Sequence, residues 1–254
     1  MPDIDLTPVR TEAQRRLERL PDYAQVIVRT YQEWRDASLE MVVLNLLCLV
    51  GFISVIFGPP VLFAIHEAVD LIIRGEYTGV KDFWDSVKRY FWISWLWAVV
   101  NLVGVFLVFN SLVFYSSLTQ FWGDTLKWII VVMGVSWFAA QFYAVPFTVL
   151  QVKPSLMQSW RNGLLLAVAS PFFTFVLIVI AVLITGLGAM TTIMVVLVAP
   201  SVPAILGVLA VRNRVAHYQK VMQSKQAASS EETADEKDKP DDNQTDDPDK
   251  EQSQ

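Results

Sequence analysis

Residues 91–114 carry no charge. Wound as an α-helix that run is about 36 Å long, more than the roughly 30 Å of a bilayer's hydrocarbon core. Further apolar runs cover 41–57, 163–187 and 189–211, and a fourth, 125–150, has Lys127 as its only basic residue. A chain with this many apolar runs is built for lipid. Its composition agrees, with 54% hydrophobic and only 18% charged residues, where an average soluble domain holds about 25% charged.

The resulting expectation is an all-α, polytopic transmembrane helix bundle. Six membrane-embedded helices are expected at about 39–57, 60–74, 91–115, 125–150, 163–187 and 189–212. Gly58, Pro59 and Pro60 should interrupt the first apolar run, because two prolines remove two donors and Pro60 drives Pro59 out of the helical region. Orientation follows from Lys and Arg near the span ends. With the N-terminus in the cytoplasm, Arg29, Arg35, Arg74, Lys81, Lys88, Arg89, Lys153, Arg161, Arg212, Arg214, Lys220 and Lys225 fall on the cytoplasmic side and only Lys127 on the outer side. This alternation requires residues 60–74 to return Arg74 to the cytoplasm. Trp92, Trp95 and Trp97 then sit near one surface as an aromatic belt would.

Both termini are expected to be cytoplasmic extensions of a 39–218 transmembrane domain. Residues 1–38 hold no apolar core of a signal peptide, and Ala24, Ile27, Val28, Tyr31 and Trp34 recur at the spacing of an amphipathic helix, which could lie on the membrane surface or pack on the body of the protein. Residues 226–254 hold 11 Asp/Glu and 3 Lys, a net −8, and almost no apolar residue, so a disordered acidic tail is expected there. The formal charge of −5 is thus an acidic tail added to a body of +3. A single cysteine, Cys48, and two histidines leave no disulfide framework and no multi-Cys or multi-His metal site.

Chemistry is concentrated on residues 60–74. His66, Glu67, Asp70 and Arg74 fall within about 100° of arc on a helical wheel, a polar stripe on an otherwise apolar helix. Ionisable groups at membrane depth are costly, and they point to a ligand or proton pathway unless they are structural. Asp70 and Arg74 stand at i, i+4, the spacing of an internal ion pair. Asn45, Asn101, Asn110 and Gln141 are the amides inside the longer spans; they could join this stripe in a polar pocket, Asn101 and Gln141 being the candidates and Asn110, toward the outer end of its span, the least suited, or they could hydrogen-bond across helices. His66-Glu67-Ala68-Val69-Asp70 has the outline of a zinc-protease helix with Asp in place of the second histidine. His217 is the only other histidine and lies beyond the last span, so no third ligand is evident. No catalytic nucleophile arrangement, cofactor motif or nucleic-acid patch accompanies the stripe.

Residues 81–98 and 154–171 align at an offset of 73, pairing Phe83 with Leu156, Ser86 with Ser159, Val87 with Trp160 and Lys88 with Arg161. Each stretch is an amphipathic lead-in to a long span, which suggests a weak parallel repeat.

Asn45-Leu46-Leu47, the prolines at 59 and 60, Arg74-Gly75, Phe83 with Lys88-Arg89 and Phe91, and Trp160-Arg161-Asn162-Gly163 leading to Ala169-Ser170-Pro171 carry a further likeness. Over about residues 39–218 the chain resembles the YesL-like family, bacterial integral membrane proteins holding a domain of unknown function and often encoded beside carbohydrate-uptake systems. The resemblance implies a non-catalytic accessory or scaffold protein of the plasma membrane, with no cofactor, embedded in the lipid bilayer and associated with transporter subunits. The stripe itself supports a different expectation, a small transporter or channel with a polar intramembrane site.

Overall fold

A computed structural model describes residues 17, 19–77, 79–117, 121–191 and 198–237. The described elements are all helices: α1 (Asp22–Asp36), α2 (Ser38–Ile53), α3 (Gly58–Arg74), α4 (Val80–Ser116), α5 (Phe121–Leu150), α6 (Leu156–Ala169), α7 (Pro171–Met190) and α8 (Ser201–Lys237). Three stretches are long and apolar enough to cross a membrane, Val80–Ser116, Trp122–Leu150 and Pro171–Gly188. A fourth is reached if α1 and α2, bent by 91°, form one span. The chain divides into two compact units, Met1–Arg214 and Val215–Gln254.

At the centre of the first unit lies α3. Gly58, Pro59 and Pro60 were expected to be the interruption itself, but they form this helix's first turn, and the break precedes them at 54–57, where the Phe57 amide donates to the Ser54 carbonyl at 2.9 Å. Proline costs nothing in a first turn, where amide hydrogens have no intrahelical acceptor. The other end closes with Gly75 at φ 71°, whose amide donates to Ile72 at 2.9 Å while that of Glu76 donates to Leu71 at 2.8 Å. These two bonds satisfy carbonyls that the helix end leaves open, and glycine reaches the left-handed region without strain. Between its ends α3 buries Val61, Phe63, Ala64, Ile65, Ala68 and Val69, so it is covered on nearly every side. Phe63 anchors a cluster with Tyr90 of α4, Val145 and Val149 of α5 and Leu156 of α6.

Four expected boundaries moved. The helix expected over 163–187 is divided at Ser170, which takes φ −141° and ψ 65° before Pro171 opens α7. Proline disfavours helical geometry in the residue before it, and at the first helical position it restarts the chain in a new direction. The boundary expected between 187 and 189 is still helix, since α7 continues to Met190. Part of the expected 189–212 helix, residues 192–197, lies outside the described residues, and α8 begins only at Ser201. The tail expected to be disordered from 226 is helical as far as Lys237, where Ala, Glu, Gln and Lys are good helix formers. Residues 238–254, and most of the N-terminal segment before Asp22, fall outside the described residues.

The start of α8 is held by a distant residue. The Ser201 amide donates to Asn45 Oδ1 at 2.9 Å, and Asn45 Nδ2 donates to Ser201 Oγ at 3.0 Å, so the α2 amide caps α8 from 156 positions away. Both residues are buried. Asn45→Ala should therefore lower stability by about 1–2 kcal/mol, checked by denaturant unfolding in detergent micelles, because it orphans a buried amide hydrogen and a hydroxyl together.

Candidate functional site

Several charged residues of the bundle meet around the C-terminal half of α3. Asp70, with a side chain 6% exposed, takes two guanidinium groups: Arg74 one turn on at 3.0 Å through Oδ2, and Arg212 of α8 through Oδ1. One turn earlier, Glu67 Oε1 accepts from Arg89 of α4 and, at 3.5 Å, from the Tyr90 hydroxyl. Glu67 Oε2 is buried with no partner. Arg74 also reaches Glu76 at 3.1 Å. Nearby, Arg214 donates to Asp22 of α1 at 3.2 Å and stacks over the Phe173 ring of α7 at 3.7 Å. Four helices, α1, α3, α4 and α8, are thereby tied by charge at the same end.

Helical spacing explains the division of labour on α3. Glu67 and Asp70 are three residues apart, on neighbouring sides of the helix, so one faces α4 and the other α8. Beside Glu67 a polar cavity of about 280 Å³ is lined by Glu76, Asp82, Asp85, Ser86 and Arg89. Its carboxylates are balanced at close range by Arg89 and, just outside, by Arg74 and Lys88.

His66 does not join these pairs. Its Nδ1 lies 2.7 Å from the Leu62 carbonyl, which can only accept, so Nδ1 carries the hydrogen. Its Nε2 edge faces Gly207 of α8, where an added Cβ would stand 3.0 Å from Pro146 Cγ and 3.6 Å from Nε2. Glycine at 207 is what lets three helices approach there. The zinc-protease outline is thus dismantled: Asp70 is saturated by arginines and His66 is turned to its own backbone. Among the described residues no group of three or more His, Cys, Asp or Glu is placed to hold a metal.

The two span amides do not complete the stripe as expected. Asn101 Nδ2 donates to the Trp97 carbonyl on its own helix at 2.8 Å. Gln141 forms a separate cluster, its Oε1 accepting from Trp97 Nε1 at 2.9 Å and Trp160 Nε1 at 3.2 Å. No hydrogen bond connects either amide with His66, Glu67, Asp70 or Arg74 among the described residues. Of the partners that sequence reasoning missed, Arg89 and Arg212 had been read only as flank charges and Tyr90 only as part of an amphipathic lead-in. The signal for the two arginines was their place beside the ends of apolar runs.

Exposure decides which pair matters more. Arg89 is 58% exposed and keeps its hydration, whereas Arg212 is 35% exposed and Asp70 nearly enclosed. Asp70→Leu should cost about 3 kcal/mol by leaving two arginines face to face. The coupling between Asp70 and Arg212 in a double-mutant cycle should exceed that between Glu67 and Arg89, read from unfolding free energies in micelles. No family model, no curated protein and no solved structure matches this chain.

Proposed function

We propose that the chain is a non-catalytic, multi-pass plasma-membrane protein, with six embedded helices and cytoplasmic termini, that acts as an accessory or scaffold beside a solute-uptake system. The observation that carries this reading is the internal use of charge: Asp70 is held by Arg74 and Arg212, and Glu67 by Arg89. A stripe so engaged fixes helices against one another and offers little to a moving solute. Carbohydrate as the class of solute rests on the YesL-like resemblance alone. The topology draws support from Arg74, Arg89, Arg212 and Arg214, which belong to one ionic layer, as residues on a single membrane face would. Association with other membrane proteins draws support from the outer parts of α4 and α5, where Leu102, Phe106, Phe109, Trp128, Val132 and Met133 are exposed.

One observation favours a transporter or channel as a second reading. Glu67 Oε2 is buried without a partner beside the 280 Å³ polar cavity. Reconstituted vesicles separate the two readings. The accessory reading expects no intrinsic flux of sugars or cations, together with transporter subunits recovered by crosslinking in native membranes. Flux that Glu67→Gln abolishes would instead establish the transporter. Cysteines placed singly at 75–79 in a Cys48→Ser background should react with impermeant maleimide only from the cytoplasmic side, and labelling from outside would overturn the six-helix topology.

A further inference from the structure

Leu96, Val99, Val103, Phe106, Asn110 and Val113 follow one another along α4 at alternating steps of three and four residues, the spacing of a coiled-coil seam. All six are exposed, the apolar ones from 50% at Val99 and Val103 to 63% at Phe106. On a helix they occupy about 100° of arc, turned away from Gly104 and Val108, which lie against Trp137 and Gly134 of α5. Helix α5 thus leaves this face uncovered. The most apolar eighteen residues of α4 include none that the chain buries.

Lipid covers the five apolar members of the stripe as well as protein would, so they name no partner. Asn110 differs. Its Nδ2 donates to the Phe106 carbonyl at 2.7 Å, and its Oδ1 and second amide hydrogen meet nothing among the described residues. Trp92, 82% exposed, and Tyr115 stand 23 residues apart, about 35 Å along α4, and Asn110 lies about 8 Å inside the Tyr115 end. With a hydrocarbon core of about 30 Å between them, the amide faces lipid below the headgroups. Acyl chains cannot answer it, and an unmet polar group there is costly.

The amide selects its partner. It needs one donor and one acceptor at a fixed depth in the membrane, and a second copy of the same helix, inserted with the same orientation, brings both to that depth. Two such amides face to face across a two-fold axis each give one hydrogen and accept one, and each keeps its bond to Phe106. In the seam Asn110 falls where Leu96 and Val103 also fall, at the position called a, and a single asparagine there fixes both register and a two-stranded pairing. We propose that two copies of this chain pair in parallel through this stripe of α4, with their Asn110 amides bonded to one another. The pairing asks only that α4 cross the bilayer, so it stands or falls apart from the accessory role.

The test uses the full chain in phosphatidylcholine vesicles. In a Cys48→Ser background, single cysteines at 99, 103, 106 and 113 should oxidise to a product of twice the chain's mass. A cysteine at 105 should not, since Val105 is 64% exposed but lies off the stripe. Energy transfer between donor- and acceptor-labelled copies, followed as lipid is added, then measures the pairing. Asn110→Leu should raise the protein-to-lipid ratio at half-pairing about tenfold, the worth of two interhelical hydrogen bonds. Leucine there gives up only a bond to the helix's own backbone, so folding is not at stake, and Asn110→Gln should keep most of the pairing. Any of three results overturns the proposal: crosslinking as fast at 105 as on the stripe, or at no position, which is random collision or none; pairing unchanged in Asn110→Leu, which is apolar contact alone; and, in native membranes, a crosslinked product that is not two copies of this chain, which assigns the stripe to another protein.

Discussion

Asp70 bears a negative charge on a helix enclosed by the rest of the bundle, and removing such a charge from water costs several kcal/mol unless good partners surround it. Arg74 and Arg212 supply them, one from the same helix and one from the last helix. The net gain over an apolar side chain is small, since each guanidinium is itself partly desolvated. What the triad fixes is identity: only a packing that brings α8 against α3 in this register leaves no buried charge unpaired. Glu67 does the same for α4, and Arg214 with Asp22 for α1. Apolar contacts along the spans cannot specify neighbours in this way, because lipid tails are as apolar as leucine.

Local features were legible in the sequence and distant ones were not. The Asp70–Arg74 pair and the stripe containing it follow from helical periodicity. The Arg212 contact, 142 residues away, does not, because a basic residue at a span end reads equally well as a topology signal. His66 shows a subtler limit: on the wheel it belongs to the stripe, but a glycine on another helix turned that position into a close crossing. The prolines at 59 and 60 were given the right effect and the wrong position, since the same chemistry that breaks a helix interior is harmless in a first turn. At Pro171 the break belongs to the proline itself, which disfavours helix at Ser170 and opens α7 inside the apolar run of 163–187.

The weak repeat gains one detail from the coordinates. Ser86 and Ser159, its paired serines, are both buried, and each hydroxyl donates to the carbonyl four residues back, at 2.8 and 2.9 Å. Five residues separate α3 from α4, and five separate α5 from α6. Beyond that the units part: α4 runs unbroken to Ser116, whereas its counterpart stops at Ala169. Shared lead-in chemistry followed by a different span is what two copies adapted to different neighbours would show.

The order in which a ribosome releases this chain gives the two arginines of Asp70 unequal duties. Arg74 emerges four residues after Asp70, so the acid has a counter-charge at once, and Arg212 arrives when most of the bundle has been made. The bonds between Asn45 and Ser201 wait almost as long, since Ser201 is synthesised 156 residues after Asn45, so the start of α8 is fixed only as the last described helix leaves the ribosome.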